Sequence, residues 1–377
     1  MRIVSIFGTR PEAIKMAPLV AALRAEPHFD TSLCITGQHR EMLAQVMALF
    51  DLRAEHQLDV MQPNQSLNGL FARLLTGVDA MLERVQPDCV LVHGDTTTAA
   101  AAALAAFQRR IRVGHVEAGL RSGDIQSPYP EEMNRRLVDS MSTWLFAPTP
   151  AARDAALSEK VSGRIWVTGN TVIDALVATV AKLDSDAALE RSLAERYGWL
   201  DARRKLLLIT GHRRENFGDG FRNICAALQD LAQRDDVQIV YPVHLNPNVR
   251  DVVQNALGGQ ANVHLIAPVD YIDFVWLMRR AYLILTDSGG VQEEAPSLGK
   301  PVLVLRDVTE RPEAIAAGTV CLVGTSRERI VTEASRLLDD SAIYAGFCRS
   351  ANPYGDGRAC SRIVDALCER PFTQFHS

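Results

Sequence analysis

From Leu285 to Leu303 the chain reads LTDSGGVQEEAPSLGKPVL. An apolar run ends at Asp287 and Ser288. Two glycines follow, and a helix-like stretch carrying Glu294 closes at Gly299. A strand, a glycine turn and a helix in that order expose backbone N–H groups where the helix begins, a place that favours an anion. A glycine turn whose acidic residues merely suit the helix dipole has the same local pattern. The choice between the two rests on the rest of the chain.

The strand-to-helix rhythm recurs throughout. Apolar, β-branched runs stand at RIVSIF (2–7), DTSLCIT (30–36), CVLVHG (89–94), RVGHVEA (112–118), WLFAP (144–148) and RIWVTG (164–169). A second series follows: KLLLITG (205–211), VQIVYPV (237–243), NVHLIA (262–267), YLILTD (282–287), PVLVLR (301–306) and TVCLVG (319–324). Fully apolar strands separated by helices belong to parallel sheets covered on both faces. Two such series predict an α/β protein of two Rossmann-like, doubly wound parallel-sheet domains. The expected division is 1–169 and 170–360. Ligands of such sheets bind at the carboxyl ends of the strands, so two facing domains are expected to line a cleft with their strand-end loops.

The chain has 377 residues, 47% of them hydrophobic, enough for two cores. Its net charge is −5 with no basic stripe, which argues against nucleic acid as a partner. Seven cysteines are scattered singly, without zinc-like spacing, as expected of buried thiols in a reducing compartment. The first strand meets Arg10 and Glu12 too early for a signal peptide, and TTTAAAAALAAF is too short and Ala-rich to span a bilayer. A soluble cytoplasmic protein without membrane contact is expected. There is no G-x-G-x-x-G, which argues against a nicotinamide cofactor.

Polar residues gather after the strands. In IFGTRPEAIKMAP, Thr9 and Glu12 have capping-box spacing and Pro11 suits the first helical turn. Arg10 and Lys15 then stand near a helix start, suited to anionic oxygens; a capped helix with surface cations is the plainer alternative. Asp95 follows the strand ending at His93, and Glu117 follows the one holding His115. Glu131 and Glu132 open a helix behind two prolines. Any one of these acids serves equally as a cap or dipole partner. Three acidic sites at successive strand ends suit proton transfer, since gathered like charges raise at least one pKa. The second series adds GHRREN with His212 and Arg213, YPVHLNPN with His244, and RDVTERPEA with Arg306 and Arg311.

Together FGTRPEAIKMAP, QHREML, VHGDTTT, GHVEAGLRSGD, PEEMNRR, TGNTVID, GHRREN, YPVHLNPN, LTDSGGVQEEAPSLGKP, RDVTERPEA and NPYGDGRAC span nearly the whole chain. Their order closely resembles the bacterial non-hydrolysing UDP-N-acetylglucosamine 2-epimerases. The resemblance implies a glycosyltransferase-B-like fold, a homodimer, and a C-terminal helix (about 361–377) that returns to the first domain. It implies reversible inversion at C2 of UDP-N-acetylglucosamine to UDP-N-acetylmannosamine through loss of UDP to a 2-acetamidoglucal and its re-addition, feeding surface-polysaccharide precursors. No metal or redox cofactor is implied.

By the same resemblance, Asp95, Glu117 and Glu131 are the catalytic carboxylates, with His212 and Lys15 in the catalytic set. Arg10, Ser288, Gly289, Gly290 and Arg311 are placed at UDP, Glu294 at the ribose and Phe274 over the uracil. Gln38, Gln65, Glu131, Arg213 and His244 match positions for a second, activating UDP-N-acetylglucosamine. The alternatives are a retaining glycosyltransferase, a hydrolysing epimerase releasing free N-acetylmannosamine, and a catalytically inert UDP-sugar sensor.

Overall fold

The computed structural model describes residues 1–37, 40–62, 64–309, 311–349 and 351–376. The chain divides into two units, Met1–Val177 with Tyr354–Ser377, and Ala178–Pro353.

The first unit is built on strands β1 (Arg2–Phe7), β2 (Asp30–Ile35), β3 (His56–Gln57), β4 (Cys89–His93), β5 (Arg112–Val116), β6 (Trp144–Ala147) and β7 (Arg164–Val167). They form one parallel sheet in the order β3-β2-β1-β4-β5-β6-β7. Side chains alternate between two buried faces, as the continuous apolar runs require. Ile3, Phe7, Leu91 and Phe146 pack with the helices Arg10–Ala25 and Ala359–Leu367. Val4, Ile6, Val90 and Val92 pack on the opposite face with the helices Leu67–Val85 and Thr97–Gln108. The alanines of Thr97–Gln108 are buried almost throughout, so that run is a core helix and not a membrane span. Among the described residues no helix is long and apolar enough to cross a membrane.

The second unit holds β8 (Lys205–Thr210), β9 (Val237–Pro242), β10 (Val263–Ile266), β11 (Leu283–Thr286), β12 (Val302–Val304) and β13 (Val320–Leu322). Its parallel order is β10-β9-β8-β11-β12-β13. Both sheets therefore reverse direction of growth beside their first strand, at β1/β4 and at β8/β11. Those reversals are where an open α/β sheet leaves a crevice at its strand ends.

Each predicted strand forms, trimmed by a few residues at most. β3 has no counterpart among the predicted strands, because two residues carry no periodicity. The first unit also runs past the predicted boundary at 169. Asp174, on the helix Thr171–Ser185, accepts the backbone N–H groups of Ala359 (3.1 Å) and Cys360 (2.9 Å), capping the helix that follows Tyr354. Asn170 N–H donates to the Tyr354 carbonyl at 2.7 Å. These bonds tie the outgoing and returning chain into the first unit. The tail beyond that helix, unmarked by any motif, edges β7: Phe375 N–H donates to the Val167 carbonyl (2.9 Å), and Val167 N–H donates to Gln374 Oε1 (2.8 Å). Covering the edge strand removes an open row of pairing groups.

Asp174→Ala removes a buried acceptor for two helix-start donors. It is expected to destabilise the first unit by about 1–3 kcal/mol. Urea unfolding followed by tryptophan fluorescence measures this, and a loss below about 0.5 kcal/mol would contradict the capping role.

Candidate functional site

In the first unit Thr9 caps the helix Arg10–Ala25, and the capping box with Glu12 is complete. Glu12 does more than cap. Its Oε2 accepts from Gly8 N–H (3.1 Å) and Thr9 N–H (2.7 Å), and its Oε1 accepts from the Thr96 hydroxyl at 2.7 Å. One carboxylate thus braces the loop after β1 against the loop after β4. Burial pushes the Glu12 carboxyl up in spite of these bonds. Arg10 is the half-buried first residue of this helix.

Lys15 lies further along the same helix, and its ammonium pairs with Glu117 Oε1. Asn170 Nδ2 donates to the same oxygen at 2.9 Å. Glu117 is buried and adopts φ +66°, a left-handed conformation unusual for a residue of its length. Its Oε2 is 3.7 Å from His93 Nε2. Burial drives the His93 imidazole down to about 3, Lys15 and His115 act the same way, and the Glu117 carboxylate opposes them. His93 is therefore neutral. At Gly94 (φ +62°) a Cβ would stand 3.3 Å from Glu117 Oε2, so the β4 turn passes close beside that carboxylate.

Asp95 follows in that turn. Its Oδ2 pairs with Arg135 Nη2 at 2.7 Å, and its carbonyl accepts from Asn134 Nδ2 at 2.8 Å. Both partners lie in the helix Glu131–Met141, whose first residue is Glu131. The neighbouring Glu132 has a different task. It is fully buried and accepts from Ser122 N–H (2.9 Å), Arg135 and Arg136. Burial raises its carboxyl, but these bonds outweigh it and hold it below the usual range.

In the second unit the buried Asp287 directly follows β11. Its Oδ2 accepts from His212 N–H and Arg213 N–H, each at 2.8 Å, fixing the loop after β8. The half-exposed His212 ring stacks on His244, centroids 5.5 Å apart. Burial lowers the His212 pKa, Arg213 and His244 add to that, and Asp287 opposes it. Ser288 stands at the N-cap position of the short helix Gly289–Glu294 without a side-chain capping bond. The Arg311 guanidinium lies along Gly289, where a Cβ would meet it at 3.2 Å, and Arg311 Nε donates to Glu293 Oε1 at 2.8 Å. Glu294 is buried, and its Oε2 accepts from the Tyr271 hydroxyl at 2.6 Å. Phe274 stands half-buried one turn along from Tyr271 on the helix Tyr271–Arg280.

The structure thus brings Lys15 onto Glu117, with the Asp95 turn and the Glu131 helix joined beside them. In the second unit it gathers Ser288, Gly289, Gly290, Glu294 and Arg311, and separately His212 with His244. Arg213 shares the His212 loop. Gln65 lies before the helix Leu67–Val85, held by Arg73 and in contact with Met61. Gln38 lies outside the described residues. Sequence reasoning gave no role to Asn170, Tyr271 or Asp287. Asn170 and Asp287 stand within quoted motifs and Tyr271 lies three residues before Phe274, yet the partner of each lies on a strand-end loop or helix far away in sequence.

The sequence pattern described as UDP-N-acetylglucosamine 2-epimerase matches residues 21–368. The chain belongs to that family. It is 57% identical over 369 residues to the UDP-N-acetylglucosamine 2-epimerase of Escherichia coli K12, covering 97% of this chain and 98% of that protein. The crystal structure of the Neisseria meningitidis UDP-GlcNAc 2-epimerase bound to UDP-GlcNAc superposes with a TM-score of 0.93 at 48% identity, covering 98% of this chain and all of that one. The Methanocaldococcus jannaschii UDP-GlcNAc 2-epimerase, in complex with UDP-GlcNAc and UDP, gives 0.83 at 33% identity over 98% and 100% of the two chains. The fold reaches further. Sucrose-phosphate synthase from Thermosynechococcus elongatus shares it at 14% identity, with a TM-score of 0.65 over 98% of each chain. The family fold is accordingly glycosyltransferase-B-like.

The buried, neutral His93 has a thermodynamic consequence. An unfolded histidine takes up a proton near pH 6.5, whereas His93 in the folded chain does so only near 3. The unfolded state binds more protons in that window, so this residue's contribution is lost as pH falls from about 6.5 towards 3. His93→Gln is expected to flatten the fall in stability between about pH 6.5 and 4.5, above most carboxylate titrations. Urea midpoints across that range measure it, and an unchanged slope would refute a buried neutral imidazole.

Proposed function

We propose that this chain interconverts UDP-N-acetylglucosamine and UDP-N-acetylmannosamine by inverting C2. The observation that carries the reading is the carboxylate set of the first unit, Asp95 and Glu117 just past the ends of β4 and β5 and Glu131 at a helix start, with Lys15 on Glu117. A transferase or a sensor of UDP-sugars needs the diphosphate and ribose contacts of the second unit but has no use for this set.

The chemistry accounts for the residue types. C2 of the sugar has no neighbouring carbonyl to acidify its proton. Breaking the C1–O bond to UDP builds oxocarbenium character at C1, which makes the C2 proton removable. A carboxylate takes that proton, the C1=C2 double bond of a 2-acetamidoglucal forms, and the bonding pair leaves on the β-phosphate oxygen of UDP. A protonated acid on the opposite face then delivers a proton to C2 while UDP returns to C1. A base and an acid on two faces require at least two carboxyl groups.

The departing diphosphate gains charge, so donors aimed at it stabilise the transition state. Ser288, the Gly289 and Gly290 amides, Arg311, His212 and Arg10 serve that role. Glu294, oriented by Tyr271, receives the ribose hydroxyls, and Phe274 covers the uracil. The complexes of the Neisseria and Methanocaldococcus relatives with UDP-GlcNAc and UDP support this assignment of ligand. No metal or redox cofactor enters the scheme.

The reading extends to regulation and assembly. A second UDP-N-acetylglucosamine, held at the positions that the family resemblance implies, activates turnover. Met133 and Leu137, exposed one helical turn apart, support burial of that helix face in a homodimer. The product supplies surface-polysaccharide precursors.

Asp95→Asn and Glu117→Gln are expected to lower kcat by about 10²–10⁴-fold while UDP affinity stays within about threefold. Coupled assay of UDP-N-acetylmannosamine and calorimetry with UDP measure the two quantities, and near-normal rates in either variant would remove that residue from catalysis. Glu294→Ala should instead weaken UDP binding about tenfold or more, the loss of a charge-assisted bond. Unchanged affinity would take it out of the ribose site. UDP-N-acetylmannosamine turned over unaided at full rate would contradict the activator.

A further inference from the structure

The loops carrying the three carboxylates meet a single buried side chain. His115, on β5, is fully buried and stands two residues before Glu117. Its Nε2 lies 2.8 Å from the carbonyl of Gly94, the residue before Asp95. Its Nδ1 lies 2.6 Å from Asp139 Oδ1, on the helix that begins with Glu131. Asp139, also fully buried, accepts through Oδ2 from Gly119 N–H (3.2 Å) and from Arg121 Nη2 (2.7 Å). Gly119 is two residues after Glu117 and is confined there, since at its φ of +83° a Cβ would stand 2.2 Å from the Ala152 carbonyl.

The partners of the ring set its hydrogen-bonding role. A carbonyl oxygen can only accept. Asp139 Oδ2 accepts from Gly119 N–H and Arg121; burial raises its carboxyl, but His115 and Arg121 outweigh that and hold it below the usual range, so it acts as a carboxylate. Both ring nitrogens therefore face acceptors, the arrangement of a ring that donates from both. No neutral side chain of similar size donates in both directions from one planar group. A glutamine amide in its place presents an oxygen to one of the two acceptors.

We propose that His115 is a positioning residue: a buried cation that holds the Asp95 turn, the Glu117 turn and the Glu131 helix in one frame. It touches no substrate and acts through Gly94 and Asp139. An ordinary core histidine would contribute to stability alone. A strut between three reacting groups governs their relative placement, on which rate depends far more steeply than ground-state binding does.

The proposal rests on the epimerase reading, so its test has an arm independent of activity. Nitrogen-15 NMR of the histidine-labelled wild-type chain reads the ring directly. Protons on both His115 nitrogens are expected, and a bare nitrogen would overturn the strut whether or not the chain is an epimerase. Wild-type protein that fails to interconvert the two UDP-sugars would overturn the function and leave the NMR result standing on its own.

In the kinetic arm, His115→Gln and Asp139→Asn should each lower kcat by about 10–100-fold, with KM and UDP affinity within about threefold. The double variant should be no slower than the slower single one, since both break the same support. Folded variants with kcat within about twofold of wild type, or with losses confined to KM, would overturn the positioning role. Should one substitution prevent folding, the other and the NMR arm still decide.

Discussion

The pairing of Glu117 with Lys15 and Asn170 is the contact on which the proposed chemistry of the first unit depends. Glu117 occupies a left-handed backbone conformation that costs roughly 1 kcal/mol or more for a residue other than glycine. Such a conformation persists only where the surroundings enforce it. Here an ammonium from the first helix and an amide from the loop after β7 converge on one carboxylate oxygen. The strain aims a buried carboxylate out of a strand end instead of letting it run on with the β5 backbone. Three stretches far apart in sequence are thereby tied to a single functional group.

A second regularity links the two units. Each sheet reverses its order of growth beside its first strand, and each reversal is braced by a buried carboxylate spent on backbone donors. In the first unit Glu12 takes the Gly8 and Thr9 amides and the Thr96 hydroxyl. In the second, Asp287 takes the His212 and Arg213 amides. Neither acid needs to meet a substrate to matter. Each fixes a loop whose neighbours, Lys15 and Asp95 in one unit and His212 and Ser288 in the other, are the candidates for chemistry.

Much of this was legible in the sequence. Continuous apolar strands declare parallel sheets, and Asp95, Glu117 and Ser288 just past strand ends, with Glu294 on the short helix that follows, mark a candidate site. The Thr9–Glu12 capping box was visible from spacing alone. Its cross-brace to Thr96 was not, because that bond joins residues on different strand-end loops. Asp287, Asn170 and Tyr271 escaped for the same reason. His93 and His115 stand in quoted motifs, but only burial and partners separate a neutral ring at about 3 from a doubly donating one. β3 is too short to show a period, and the tail 371–376 pairs with β7 partly through a side chain, leaving no alternation to read.

The central claim is that C2 loses its proton as UDP departs and regains one from the opposite face. Proton NMR of the purified chain with UDP-N-acetylglucosamine in deuterated water tests it most directly. The account predicts UDP-N-acetylmannosamine bearing deuterium at C2, with no net release of UDP. An epimer that keeps its original C2 proton, or free N-acetylmannosamine accumulating with UDP, would contradict it.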